Sequence, residues 1–179
     1  PTALALWTIF SHAFQEFAVA PILAITSPTH RCGKSTLLHV LGALVSRPAM
    51  SSSITAAVIY RVVEKARPTL LIDEADSFMD QGDRHRNVLN SGHLETGHVI
   101  LCTGDEHEVR RFSTFSPKAI GLIGDLPPTL RDRAVSVPMR RRAPGESVEQ
   151  LRVGEIREEF QDLRAKVARW VQDHREELD

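Results

Sequence analysis

Gly33, Lys34 and Ser35 are the residues of this chain whose types and spacing are best suited to chemistry. They stand between an apolar run at 22–25, which predicts a buried strand, and an apolar repeat of helical spacing at 35–45. A loop at the start of a helix directs backbone N–H groups at an anion. A lysine there reaches the terminal phosphates of a nucleotide, and a hydroxyl holds Mg²⁺. We therefore predict that Lys34 binds phosphate and that Ser35 binds the metal.

The rest of this loop completes the predicted nucleotide site. Pro28 stands where the usual phosphate-loop pattern has a glycine, and it has no N–H to donate. The backbone must approach the phosphate closely at Gly33, so we expect the loop to tolerate a different entry turn. Thr36 is predicted to contact the α phosphate. The residues that we assign to nucleotide binding are Thr29, His30, Arg31, Cys32, Gly33, Lys34, Ser35 and Thr36.

A second motif, which is acidic, follows the loop about forty residues later. The segment 69–72 is apolar without polar alternation, which predicts a strand buried on both faces of a parallel sheet, and Asp73 and Glu74 come directly after it. Parallel strands place their carboxyl ends at one edge, where ligands bind. We expect Asp73 to hold Mg²⁺ through water and Glu74 to act as the base that activates the attacking water.

Two further positions are candidates for sensing or stabilising the γ phosphate. Thr103 ends a segment, 97–103, that is predicted to be another buried strand, and Asp105 is a weaker candidate for the same region. Arg133 follows a proline-rich turn before the last predicted strand, and this stretch resembles the segment of AAA+ ATPases in which an arginine reaches a neighbouring nucleotide and stabilises charge on the transferred phosphoryl group. Arg131 is the second choice for this role, and a surface ion pair is the alternative for both arginines.

The order of strands and helices predicts an α/β fold, a P-loop NTPase three-layer sandwich with a mostly parallel central sheet. We divide the chain into an N-terminal helix at 1–18, an ATPase core at 19–143 and a C-terminal segment at 146–179. The last segment reads as helical from Ser147 onward and is either the remnant of a lid or a single C-terminal helix.

Composition restricts the class of protein. The chain has 179 residues, a formal net charge of −1 and two cysteines, so we expect a reducing, cytoplasmic compartment and no disulfide framework. No apolar run is long enough to span a membrane. The absence of a Met at the start predicts a piece of a longer protein. Two features could contact DNA: a basic run that includes Arg140-Arg141-Arg142, and a basic-aromatic segment at 110–115.

The stretches SPTHRCGKSTLL, TLLIDEAD, LNSGH, RRFSTFSPKAIGLIG and LPPTLRDR, in this order, resemble a P-loop domain family of phage and mobile-element proteins recorded as a domain of unknown function. The resemblance covers about residues 3–152. Members of this family often follow primase-polymerase or toprim modules, and they are similar to AAA+ and superfamily-3 helicase ATPases. Their phosphate loop also tends to begin with Ser-Pro.

The resemblance implies an Mg²⁺- and ATP-dependent motor domain, a helicase or translocase, that acts on single-stranded DNA during replication of a mobile element. It also implies a homo-oligomer, with a hexameric ring as the typical form, in which Arg133 reaches the nucleotide of the neighbouring subunit. The segment 146–179 is short for the helical lid of such proteins, although Arg152 is available as a lid arginine.

Three other functions remain open from the sequence. An ATP-dependent oligomeric switch would use the same residues without unwinding nucleic acid. A small-molecule kinase would need an arginine-bearing lid between Glu74 and Thr103, and we find no such segment. A scaffold without hydrolysis is disfavoured because Lys34, Asp73 and Glu74 are all present.

Overall fold

The computed structural model describes residues 1–79, 83–104, 107–148 and 151–178. The helices in these ranges are α1 Thr2–Ala13, α2 Lys34–Leu44, α3 Ala56–Ala66, α4 Asp76–Met79, α5 Asp83–Ser91, α6 Pro128–Arg131, α7 Ile156–Glu159 and α8 Gln161–Asp173. The strands are β1 Ile22–Ser27, β2 Pro48–Ser51, β3 Thr69–Ile72, β4 His98–Thr103, β5 Glu108–Ser113, β6 Lys118–Ile123 and β7 Ala134–Pro138. Among these residues, no helix is both long and apolar enough to cross a membrane.

Five strands form a parallel central sheet in the order β2-β3-β6-β1-β7. The α/β class and the parallel sheet expected from the sequence are therefore confirmed. Strand β2 was not predicted from the sequence. The cap of α3 is Thr55, whose side chain accepts a hydrogen bond from the N–H of Val58.

Alternate residues of the central strands supply two cores on opposite faces of the sheet. On one face, Leu23 and Ile25 of β1 pack with Leu38 and Leu41 of α2 and with Trp7 of α1. The opposite core is formed under α3 and α5, with Ile22, Ala24, Leu70, Ile72, Ile59, Val63, Leu89 and Ile120 among its members. Strands covered on both faces read as continuous apolar runs, which is why β1 and β3 were predictable.

Strand β4 is not part of the central sheet. It pairs only with β5, in antiparallel register from His98–Ser113 to Thr103–Glu108, and forms a separate two-stranded hairpin. The prediction that 97–103 is a buried strand of the parallel sheet was wrong. The strand inserted between β3 and β1 is β6.

The C-terminal segment is less helical than the sequence suggested. Residues 151–155 form turns and irregular backbone before α7, so the expectation of a helix from Ser147 was wrong for this part. Helix α8 packs against α1 and α2, with Val171 buried, and Arg175 after it forms an ion pair with Glu16 at 2.5 Å. These contacts place the last helix against the body of the domain.

Candidate functional site

The loop between β1 and α2 has the backbone of an anion cradle. Gly33 has φ +85°, in the left-handed region that glycine adopts without strain, and Arg31 has φ +61°. Helix α2 has no side-chain cap, and its first described intrahelical bond runs from Leu37 N to Gly33 O. The N–H groups of the first turn therefore remain available at the positive end of an eleven-residue helix, where an anion binds well.

Lys34 is held by side-chain contacts at the carboxyl end of β1. Its Nζ donates a hydrogen bond to Ser27 Oγ at 2.7 Å, and Ser27 Oγ donates to Thr29 O at 2.7 Å. Ser27 is 4% exposed, so this hydroxyl is fixed in the interior. The ammonium group is thereby positioned beside the loop, and it keeps two further donors for a ligand.

Cys32 stabilises the turn of the loop. Its thiol is buried and donates to Thr29 O at 3.3 Å. Although burial disfavours the thiolate, hydrogen bonds from the Thr29 and Ser27 side chains and the charge of Lys34 lower the pKa of Cys32 overall. The role of Thr29 and Cys32 in the structure is thus to shape the loop.

A cleft of about 640 Å³ opens above this loop and brings the two sequence motifs together. Asp73 and Glu74 face the same space as Lys34, so the two motifs separated by about forty residues form one site. Of the predicted loop residues, Thr29 alone is absent from the wall of the cleft. The wall consists of His30, Arg31, Cys32, Gly33, Lys34, Ser35, Thr36, Asp73, Glu74, Asp76, Ser77 and Ile123.

The acidic residues of the cleft are placed by the end of β3. Asp73 is 9% exposed, and its Oδ1 accepts a hydrogen bond from Glu74 N at 3.0 Å. Glu74 is exposed and has φ +52°, a strained conformation for a residue with a Cβ. A buried carboxylate next to a hydroxyl is a donor set of the kind that Mg²⁺ uses, since Mg²⁺ takes one or two protein oxygens and keeps several waters. Asp73 and Ser35 fit that description.

Three residues of the cleft, Asp76, Ser77 and Ile123, were not assigned from the sequence. Asp76, the first residue of α4, lies three residues after Asp73, and its Oδ1 accepts from Ile123 N at 3.2 Å, which ties α4 to the carboxyl end of β6. Ser77 lines the wall beside it. The run Asp73-Glu74-Ala75-Asp76 was the available signal, because it places three acids within four residues directly after a buried strand.

Thr103 is outside the cleft. It lies in the β4–β5 hairpin, where its Oγ1 is 3.5 Å from Glu108 O, the backbone oxygen of its cross-strand partner. Its assignment as the sensor of the γ phosphate rested on the wrong placement of β4 in the central sheet. The strand that lies between β3 and β1, and so ends between Asp73 and the loop after β1, is β6. Asp105 lies outside the described residues.

Arg133 is engaged within its own chain. Its Nη1 donates to Thr129 O at 2.5 Å and to Asn90 Oδ1 at 3.2 Å, and the residue lies just before β7, where Arg133 O accepts from Ile22 N. It therefore lies at the amino edge of the sheet, opposite the cleft. Arg131 on α6 is exposed and is the freer of the two arginines.

The run Arg140-Arg141-Arg142 lies beside the phosphate loop. Arg141 Nε donates to His30 O at 3.1 Å. Glu146 accepts from the guanidinium of Arg140 and from Ala143 N, and these bonds hold the pKa of Glu146 down to about 2. Residues 140–146 thus form a closed turn that braces the phosphate loop, whereas the sequence offered this run as a candidate DNA contact.

Comparisons with known proteins give a partial match. The family described as "Protein of unknown function (DUF3631)" matches residues 138–179, a range that excludes the phosphate loop and the acidic motif. No curated protein matches the chain.

Solved structures of JCV helicase are similar to it at low identity. One bound to an acetamide compound has 14% identity and a TM-score of 0.49 over 93% of this chain. An inhibitor-bound structure has 14% identity and a TM-score of 0.48 over 92%, and a further JCV helicase structure has 13% and 0.45 over 92%. This chain spans less than half of those chains, 46%, 45% and 45% respectively. At these TM-scores the likeness leaves the function of this chain open.

Proposed function

We propose that this chain is the ATPase domain of a DNA-dependent motor and that it hydrolyses ATP with Mg²⁺ in the cleft above the phosphate loop. The observation that carries the proposal is the convergence of Lys34, Asp73 and Glu74 on one cleft at the carboxyl edge of a parallel sheet. Positive charge and helix N–H groups on one wall, with carboxylates on the other, suit a triphosphate bridged by a divalent cation.

Each residue has a role that follows from its position. Lys34, already oriented by Ser27, binds the β and γ phosphates, and Thr36 binds the α phosphate. Ser35 and the buried carboxylate of Asp73 hold Mg²⁺, which neutralises charge on the phosphates when bound. Glu74 is exposed at the mouth of the cleft and takes the proton of the attacking water.

The oligomeric part of the proposal concerns α6. Among the described residues that line the cleft, Arg31 is the one arginine and Lys34 the one lysine, and we infer that a further arginine stabilises the charge that develops on the γ phosphate. A second copy would supply it in a homo-oligomer, for which a hexameric ring is the proposed form. Exposed Arg131 is better placed for this than Arg133, which is bonded to Thr129 and Asn90.

The DNA part of the proposal concerns the hairpin. Arg110 and Arg111 are both exposed on β5, and Arg110 lies 5.0 Å from the centre of the Phe112 ring. Exposed arginines attract the phosphates of single-stranded nucleic acid. An oligomeric ATP switch without unwinding is the alternative, and it would lack salt-dependent binding of single-stranded DNA.

The test is ATP hydrolysis by the purified chain with Mg²⁺, with and without single-stranded DNA, beside a Glu74→Gln variant. We expect turnover that DNA increases and that falls by a factor of about 10² or more in Glu74→Gln, with ATP binding retained. Glu159→Gln, the same change at an exposed position on α7, is the matched control and should leave turnover unchanged.

Each outcome of this experiment tests a different part of the proposed function. Turnover that survives Glu74→Gln would contradict the assignment of the base. Hydrolysis with no response to DNA would favour the switch over the motor. A chain that binds no ATP at all would overturn the phosphate-loop assignment, and the unusual entry turn at Pro28 would then be the first position to examine.

A further inference from the structure

Lys118, the first residue of β6, is a buried charged side chain that the proposed reaction does not use. It is 1% exposed, although it begins a strand in the middle of the central sheet. Its Nζ donates three hydrogen bonds, to Ser116 O at 2.7 Å, to Gly92 O at 2.9 Å and to Thr114 O at 3.1 Å. All three donors of the ammonium group are therefore used by backbone carbonyls.

The carbonyl group of Gly92 explains why a lysine is tolerated here. Gly92 directly follows α5, so its carbonyl belongs to the negative end of that helix, where a cation is favoured. The position must be glycine, because a Cβ there would overlap both Lys118 Nζ and Thr114 O. Burial without a carboxylate partner lowers the pKa of Lys118 to about 7. Burying a charged ammonium group costs free energy, and the three hydrogen bonds offset part of that cost.

The three acceptors lie on the two segments from which the hairpin emerges. Gly92 precedes β4, and Thr114 and Ser116 lie between β5 and β6. Further bonds join the same segments: Thr114 N donates to Gly97 O at 3.1 Å, and Ser91 Oγ donates to Thr114 Oγ1 at 2.9 Å. The lysine thus lies at the centre of a buried polar cluster at the base of the hairpin.

The other end of β6 reaches the cleft. Ile123 lines the cleft and donates its N–H to Asp76 Oδ1, and Gly121 O accepts from Ala75 N at 3.0 Å. A six-residue strand is about 20 Å long, and it is rigid here because it is paired on both sides. One strand therefore connects the hairpin base at its amino end with the wall of the cleft at its carboxyl end.

We propose that Lys118 is a positioning residue that fixes the β4–β5 hairpin to β6, so that nucleic acid bound on the hairpin alters ATP turnover in the cleft. The coupling part rests on the proposed function, whereas the fixing of the hairpin does not.

The test compares wild type with Lys118→Met, which keeps an unbranched side chain but removes all three donors. Amide hydrogen exchange, measured on the chain without ligands, reports how firmly the hairpin is held to β6. We expect exchange at least tenfold faster in residues 92–104 and 107–116 and unchanged exchange in β1 and β3. Lys65→Met, at an exposed lysine near the end of α3, is the matched control and should match wild type.

The rate of ATP hydrolysis measures the coupling between the hairpin and the cleft. In Lys118→Met we expect basal ATP hydrolysis within about twofold of wild type and single-stranded DNA binding that is retained, while the stimulation by DNA is lost. A purely structural lysine would lower basal and stimulated turnover together. Retained stimulation, or hairpin exchange equal to wild type, would overturn the proposal.

A milder variant keeps the proposal testable in the event that Lys118→Met does not fold. If Lys118→Met does not fold, Thr114→Val removes the bond from Ser91 and leaves the lysine in place, and the same two readouts apply with smaller changes. Wild-type turnover that DNA does not alter would overturn the coupling. A wild type that binds no nucleotide would overturn the proposed function instead, and the exchange comparison would still decide whether Lys118 holds the hairpin.

Discussion

The central sheet and the β4–β5 hairpin use similar residues under different physical conditions. In β3 the residues Thr69 to Ile72 are at most 1% exposed, because the strand is paired on both edges and covered on both faces. In the hairpin only one face is covered: Phe112 is 6% exposed and packs on Tyr60, whereas Val109 is 73% exposed. A strand with one free face retains a surface for a partner.

This difference separates two tasks. The sheet places Lys34, Asp73 and Glu74 rigidly at one edge, as the proposed phosphate chemistry requires. The hairpin extends the chain between β3 and β6 and carries exposed arginines without disturbing the pairing of the sheet. Changes in the cleft should therefore abolish turnover under all conditions, whereas changes in the hairpin should affect only the response to nucleic acid.

The largest effect is expected for Lys34→Met. The variant removes the cation that faces the phosphates, and loss of one preorganised electrostatic contact lowers turnover by a factor of about 10² to 10³. Steady-state ATP hydrolysis and ATP binding measure the effect. Hydrogen exchange of the hairpin should be unchanged, and a slow-exchanging hairpin that becomes fast would contradict the separation of the two regions.

Lys118 lies where the central sheet and the hairpin meet. Because its pKa is lowered, we expect the stability of the chain to depend on pH. Its pKa is about 7 in the folded chain against 10.5 for an ordinary lysine, so the unfolded chain binds more protons between these values. The free energy of unfolding should rise with pH across this window, by at most about 1.4 kcal/mol per pH unit. Denaturant unfolding between pH 7 and 9.5 measures the slope.

The control for this prediction is Lys118→Met, from which the same rise should be missing. Groups that titrate in both proteins cancel in the difference. Equal slopes for the two proteins would show that Lys118 has an ordinary pKa, and the buried ammonium would then be hydrated.

A smaller effect is expected for Arg110→Gln combined with Arg111→Gln. Each phosphate contact that is lost should reduce the slope of log K against log salt by about 0.7 for single-stranded DNA. Binding titrations at several salt concentrations measure it, and basal turnover should stay at the wild-type value. Arg157→Gln, at an exposed arginine on α7, serves as the control. An unchanged slope would remove the hairpin from the DNA interface.

No effect on basal turnover is expected for Thr103→Val. The side chain lies in the hairpin, bonds to its cross-strand partner Glu108 and is not among the described residues that line the cleft, so the γ phosphate should not depend on it. If Thr103→Val loses ATP hydrolysis tenfold in the absence of DNA, Thr103 lies in the cleft after all. That result would contradict the placement of β4 outside the central sheet.

Much of the cleft could be predicted from the sequence because its determinants are local. The turn at Gly33, the helix that follows and the acids after β3 depend on neighbouring residues, and parallel strands bring their carboxyl ends together whatever their order. Lys34, Ser35 and Asp73 were identified on this basis. The structure places all three along one cleft, while their roles with ATP and Mg²⁺ remain predictions.

The sequence by itself determined the α/β class, the glycine-lysine turn between β1 and α2, and the acidic end of β3. Only the tertiary structure decided which later strand enters the sheet. Segments 98–103 and 118–123 are both short and apolar, so pattern alone does not rank them. The choice depends on distant contacts: β6 pairs with β3 and β1, and Lys118 finds three carbonyl acceptors at the hairpin base. Such contacts are set by packing across the chain, and no local pattern encodes them.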